Sequence, residues 1–157
     1  MERKCLLAIR IRGGVNASVR VKDTLRMLRM GRNNAATLLD NRPDNLGMLQ
    51  KAKDRITWGE PTVETIRLLL ESRGEVPGGD RIDPETLKSL GYDSIDALAA
   101  DLHACEVRLT ELEGVKPFFR LHPPSGGFRR TVKRPYRADG ELGYRGDAIN
   151  DLARRMC

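Results

Sequence analysis

The chain has 157 residues, a formal charge of +6 and a pI of about 9.5, with 28 Lys and Arg against 22 Asp and Glu. That length suits one domain, or one domain with a small appendage, and buries a core without disulfide staples; the charge favours a polyanionic partner. Cys5, Cys105 and Cys157 stand far apart with no Cys-x-x-Cys, and no run approaches the ~18 apolar residues of a membrane span; MERKCLLAIRIR lacks the apolar core of a signal peptide, so reduced thiols in a soluble, intracellular protein are expected.

Cys5-Leu6-Leu7-Ala8-Ile9-Arg10-Ile11, closed by Gly13-Gly14, reads as a first strand. Val21, Leu25 and Leu28 then fall at i, i+4 and i+7, the apolar stripe of a helix. Lys22, Arg26 and Arg29 repeat that spacing one position on, as a basic stripe. No acid stands between Arg26 and Arg32, although surface helices ordinarily pair opposite signs at i,i+4. Gly31 is the expected C-cap. Ala35 to Leu39 reads as a second strand, Asn41-Arg42-Pro43 as a turn, and Leu46, Leu49 and Lys53 mark a short second helix. Arg55 to Trp58 is a third strand, completing β-α-β-α-β within about sixty residues.

The next segment is helical. Thr62 caps a helix carrying Val63, Ile66 and Leu70, which breaks at Gly74 and Pro77-Gly78-Gly79. Asp83-Pro84 opens a short helix ending at Gly91, and Asp93 caps another bearing Ile95, Leu98 and Leu102. Ile149, Leu152 and Met156 predict a last helix.

Charge is segregated along the chain. Residues 1–60 hold thirteen Lys and Arg against six acids, residues 84–113 two against seven, and residues 115–138 seven against none. Solubility alone is ordinarily served by even dispersion of both signs, so one side is expected to face a polyanion and the other water or protein. The expected units are a core over 1–60, an acidic helical module over 61–113 and a basic arm with the last helix over 114–157.

No reacting constellation accompanies this charge. His103-Ala104-Cys105 is a fragment of a metal site without further ligands, and no phosphate-cradling Gly-x-x-x-x-Gly-Lys or Gly-x-Ser-x-Gly occurs. Gly13-Gly14 and Gly126-Gly127 match no dinucleotide fingerprint, and Glu111/Glu113 and Asp147/Asp151 have the spacing of solvated surface charge. Neither an enzyme nor a metal, cofactor or small-molecule site is expected.

The stretch FRLHPPSGGFRRTVKRPY, residues 119–136, has two adjacent prolines, a glycine pair and no acid. Its prolines exclude the amphipathic helix of a membrane-surface segment. Arginine predominates over lysine there, and guanidinium forks match phosphate oxygens. Phe119, Phe128 and Tyr136 serve either to stack on unpaired bases or as the local core, and Phe118 and Phe119 fit the core better. Together these features describe an RNA contact arm.

Three stretches carry a family resemblance: Ile9-Arg10-Ile11-Arg12-Gly13 with Thr24 to Met30 and Arg32-Asn33-Asn34; Leu46-Gly47-Met48-Leu49 leading to Ile56-Thr57-Trp58-Gly59-Glu60; and Phe119 to Pro124 with Gly126-Gly127-Phe128, Lys133-Arg134-Pro135-Tyr136 and Gly140 to Gly146. The sequence resembles the archaeal and eukaryotic branch of the large-subunit ribosomal protein L-thirty family. That resemblance implies an α+β fold, its three strands antiparallel in order 3-1-2 with helices on one face. It implies a structural, non-catalytic part of the large ribosomal subunit, contacting large-subunit rRNA near the 5S rRNA and neighbouring ribosomal proteins. By position, the expected RNA contacts around the first helix are Arg12, Arg20, Lys22, Arg26, Arg29, Arg32, Asn33 and Asn34. Arg55 and Trp58 follow, Trp58 better suited to packing. The arm adds Arg120, His122, Arg129, Arg130, Lys133, Arg134 and Arg145. Two alternatives stay open: an RNA-processing enzyme, for which His122 is the candidate acid or base within the basic region, and a free-standing RNA-binding regulator.

Overall fold

In the computed structural model, which describes residues 3–157, strand β1 (Cys5–Arg10) is buried along its whole length. A near-continuous apolar run, rather than an alternating one, is the mark of a strand covered on both faces. It pairs antiparallel with β2 (Ala35–Asp40) on one side and β3 (Ile56–Gly59) on the other, Leu7 lying opposite Leu38 and Gly59. Helix α1 (Val19–Met27) links the first two strands and α2 (Pro43–Lys51) the next two. The order 3-1-2 implied by the resemblance therefore stands at the centre of the sheet.

The sheet does not stop at three strands. Among the described residues it has six and is mixed, in the order β4-β2-β1-β3-β6-β5. Strand β4 (Phe119–Arg120) is antiparallel to β2, β6 (Gly140–Tyr144) is parallel to β3, and β5 (Thr131–Pro135) is parallel to β6. The stretch expected to be an extended arm thus supplies both flanks of the sheet. A two-residue strand and one reading Thr-Val-Lys-Arg-Pro are too short or too polar to show a period, so their strand character comes from distant partners.

Helices cover both faces, not one. On the first face α1 and α2 pack Leu25, Leu28 and Leu49 against Leu6, Ala8, Ala35, Ile56 and Trp58. On the second, α3 (Val63–Arg73), α4 (Pro84–Ser89), α5 (Ile95–His103) and α6 (Ile149–Met156) bring Ile66, Leu70, Leu87, Leu98 and Leu152 onto Leu7, Ile9, Ala36, Leu38 and Phe119. Thr62 caps α3 by accepting from the Thr65 amide, and Asp83 caps α4 ahead of Pro84. For α5 the cap is Ser94, accepting from the Ala97 amide at 3.2 Å, one residue beyond the expected Asp93. Both residue types cap well, and burial of Leu98, Ala99 and Leu102 sets the register between them.

Two buried polar groups tie the last segment to the rest. Asn150 accepts from the Thr62 amide at 2.8 Å and the Thr65 hydroxyl at 2.6 Å, and donates to the carbonyls of Glu60 and Asp147. Arg145 donates to Glu141 at 2.7 Å and to the Thr57 hydroxyl at 2.7 Å, joining β6 to β3. Removing one partner of such a buried pair strands the other charge, a loss of about 3–5 kcal/mol. Arg145→Leu is expected to lower unfolding free energy by that order in urea titrations, while Tyr92→Phe at the part-buried Tyr92–Asp101 contact costs much less.

All three cysteines are free thiols, and burial raises each of their pKa values. Cys5 is pushed up to about 12, mainly by burial and further by Cys105 and Asp40. Because only the thiolate reacts, thiol titration of the native protein at pH 8 is expected to leave Cys5 unmodified, with full reaction after denaturation. Rapid native labelling of Cys5 would contradict this packing.

Candidate nucleic-acid interface

Helix α1 starts at Ser18, whose side chain accepts from the Val21 amide at 3.2 Å. Its Leu25 faces the sheet, with Leu28 buried at the C-cap, while Arg20, Lys22 and Arg26 remain exposed. One acid interrupts the basic face: Asp23 pairs with Arg26 at 3.0 Å, both ends in water. Such an exposed i,i+3 pair contributes only tenths of a kcal/mol.

The helix ends earlier than expected. Leu28 is the C-cap, Arg29 has φ 64°, and the amides of Arg29 and Met30 donate to the carbonyls of Arg26 and Leu25. These are the paired bonds of a left-handed helix cap, where glycine normally stands. Gly31, predicted as the cap, lies two residues further on. Below this turn the Arg10 side chain, itself buried, donates from Nη1 to the Met30 carbonyl at 3.0 Å and from Nε to the Arg12 carbonyl at 3.1 Å. Burial, and then the neighbouring Arg55, lower the Arg10 pKa. Asn34, also at positive φ, donates its amide to the Arg10 carbonyl and accepts from the Leu121 amide. The loop carrying Arg29, Arg32 and Asn33 is thus pinned from beneath while those side chains face solvent.

Strand β4 completes the surface. Arg120 pairs with Ala35 and Phe119 with Ala36. Ala35 belongs to the cluster under α1, and Ala36 to the cluster on the other face. Alternation therefore puts Arg120 and Phe118 on the α1 side and sends Phe119 into the opposite core. The result is a groove lined by Arg26, Arg29, Gly31, Arg32, Ala35, Phe118 and Arg120. The Arg120 guanidinium carbon lies 5.9 Å from the centre of the Phe118 ring.

The Leu-His-Pro-Pro-Ser-Gly-Gly part of the arm does a structural task. Backbone amides of His122 and Ser125 donate to the Met156 and Arg155 carbonyls, and the Arg155 side chain donates to the carbonyls of Ser125 and Gly127. The His122 ring nitrogens lie 2.6 Å from the Pro123 carbonyl and 2.7 Å from that of Cys157. The segment is thereby a cap for the open carbonyls at the end of α6, with each His122 ring nitrogen lying against a carbonyl oxygen. Gly126 and Gly127, each at positive φ, supply the turn that leads out of this cap.

Beyond the cap, Arg129, Arg130, Lys133 and Arg134 are exposed. Arg129 lies 3.8 Å from Asp151, and Arg130 stands over the Tyr136 ring at 5.3 Å. Arg145 covers the same ring at 4.9 Å but is buried, as are Arg55 and Trp58. Trp58 packs under the first helical layer, and Arg12 is half-buried with its amide on the Arg55 carbonyl. Phe118, expected in the core, stands half-buried in the groove instead, and Arg137, 5.9 Å from the centre of the Tyr144 ring, was not singled out from sequence. Alternation across Phe118-Phe119-Arg120 was the available signal for the first; nothing local marks the second.

Comparison with known proteins gives a consistent picture. The family model described as ribosomal protein L30p/L7e matches residues 6–56. The large ribosomal subunit protein uL30 of Methanopyrus kandleri is 47% identical over 148 residues, covering 93% of this chain and 99% of that protein. Its counterpart from Ignicoccus hospitalis is 46% identical over 158 residues, covering 99% of each. That of Thermofilum pendens is 44% identical over 151 residues, covering 96% and 97%.

A left-handed backbone costs a residue with a Cβ about 1–2 kcal/mol, and glycine avoids most of that. Arg29→Gly is expected to raise the unfolding free energy by about 1 kcal/mol and to weaken RNA binding at the same time. Opposite signs in a urea titration and an RNA-binding isotherm would mark Arg29 as held there for its charge; a loss in both would refute that.

Proposed function

This chain belongs to the ribosomal protein L30p/L7e family, and on that premise we propose that it holds rRNA in place through the arginine groove and the exposed guanidinium groups of its C-terminal segment. It is a structural protein of the large ribosomal subunit in the cytoplasm and not an enzyme, in keeping with the names of its relatives. The observation that carries the finer reading is the groove itself. Arg26, Arg29 and Arg32 come from one end of the chain and Arg120 from the other, yet the fold gathers them with no carboxylate among the described lining residues, Asp23 on Arg26 standing outside that lining. Like charges brought together repel one another, and a phosphate backbone turns that repulsion into attraction.

The proposed contacts are Arg20, Lys22, Arg26, Arg29, Arg32 and Asn33 around α1, then Arg120 and the exposed Arg129, Arg130, Lys133 and Arg134. Arg12 and Asn34, half-buried and outside the groove lining, are the remaining contacts proposed on this side. Arg55, Trp58, His122 and Arg145 act by holding the surface in shape, since their side chains are packed or already bonded. The resemblance adds the 5S rRNA and neighbouring ribosomal proteins as the surroundings of this interface. The His122 contacts speak against the processing-enzyme alternative, because each ring nitrogen already lies within hydrogen-bond distance of a backbone carbonyl.

Sedimentation of a native lysate through sucrose, before and after a salt wash, tests this reading and separates it from a transient regulator. Near one copy per large subunit is expected through the wash. For an isolated rRNA fragment touching about six cations, a fourfold rise in salt is expected to cost roughly 10³ in affinity. Arg32→Glu with Arg120→Glu is expected to abolish retention and leave the thermal midpoint in place. Wild-type protein at the top of the gradient, or released at modest salt, would sink the proposal.

A further inference from the structure

We propose that the groove beside α1 receives one unstacked nucleotide, with its base between the Phe118 ring and the Arg120 guanidinium and its flanking phosphates on Arg29 and Arg32. This deepens the rRNA-holding role and rests on it. Duplex RNA is gripped by cations along its backbone, for which the arginines alone suffice. A ring left half-buried in the groove under a guanidinium is a different provision, because unpaired bases are recognised by stacking on aromatic rings and arginine planes. Phe119, its neighbour, is fully buried in the core, so the strand spends one phenylalanine on packing and turns the other to the arginines.

The dimensions suit a single base. Arg120 stands 5.9 Å from the Phe118 ring centre. A base slotted between two stacking partners needs about 6.8 Å, twice the stacking rise of about 3.4 Å, so Arg120 must withdraw by at least roughly 1 Å. Its side chain is exposed and long-stemmed, free to do so. Among the groove's lining residues, Gly31 and Ala35 are the small ones. A Cβ built on Gly31 meets nothing within 4 Å, which leaves open space beside the groove. Four arginines around that space select a ligand carrying phosphate, and the ring selects one carrying a flat base.

The test uses the full chain, a short oligouridine with one central 2-aminopurine, and a duplex carrying the same base paired. Binding of the single strand is expected to quench the fluorophore by stacking. Phe118→Ala should weaken that binding about tenfold, abolish the quench and leave both the salt slope and duplex binding unchanged. Arg32→Ala should instead flatten the single-strand slope by about 0.7. Gly31→Leu puts a bulky side chain at a groove-lining position without backbone strain, since Gly31 has no positive φ, and should reproduce the Phe118→Ala result with the ring intact. Binding without a quench, or a quench that survives both Phe118→Ala and Gly31→Leu, means that the groove holds phosphates only and overturns the proposal. So does failure of the single strand to bind a chain that still sediments with large subunits, an outcome that leaves the ribosomal role standing. Failure of that sedimentation overturns the ribosomal role and this inference with it.

Discussion

Everything in this fold follows from the burial of β1 on both faces. Leu6 and Ala8 point to one side, Leu7 and Ile9 to the other, and none is more than 3% exposed. Each large aliphatic side chain so buried contributes about 1.5–3 kcal/mol, which is lost wherever a face stays open to water. The two helices that connect the first three strands cover one face only. The other face therefore has to be closed by α3 to α6, and the chain must return across the sheet after residue 113 to complete the layer.

That return builds the arginine groove. Coming back, the chain lays Phe119 into the second core and, by alternation, leaves Phe118 and Arg120 beside the end of α1. It then caps α6 with the Leu-His-Pro-Pro-Ser segment and closes the far side of the sheet with β6 and β5. The outermost strand β5 carries Lys133, Arg134 and Pro135, charge and a missing amide that discourage a second chain from adding to the edge. One segment thus serves as core, as cap and as cation-bearing surface, with prolines and glycines fixing the bends between those tasks.

Local comfort is given up where the charge gathers. Arg29 occupies a backbone position suited to glycine, and it does so at the point where the arginines converge. Elsewhere the local rules agree with the global fold: Ser18, Thr62, Asp83 and Ser94 cap their helices, and Gly91 takes the left-handed turn after α4. Cys105 after α5 and Asp139 after the short helical turn Tyr136–Ala138 are left-handed helix ends without glycine as well. At Arg29 the left-handed backbone coincides with the gathering of like charge.

The sequence by itself determined the β-α-β-α-β order, the Thr62 and Asp83 helix caps and the basic face of α1. Those features are written in short-range periods and in residue types with one strong backbone preference. Tertiary structure alone decided the rest. Strand β4 is recognisable only through β2, more than eighty residues away, and β6 only through β3. Arg145 and Arg134 look alike as letters, yet one is buried on Glu141 and Thr57 and the other lies in water. The meeting of Arg26, Arg29 and Arg32 with Arg120 and Phe118 likewise has no local sign. Proximity and burial depend on which distant segments pack together, and no window of neighbouring residues contains that information.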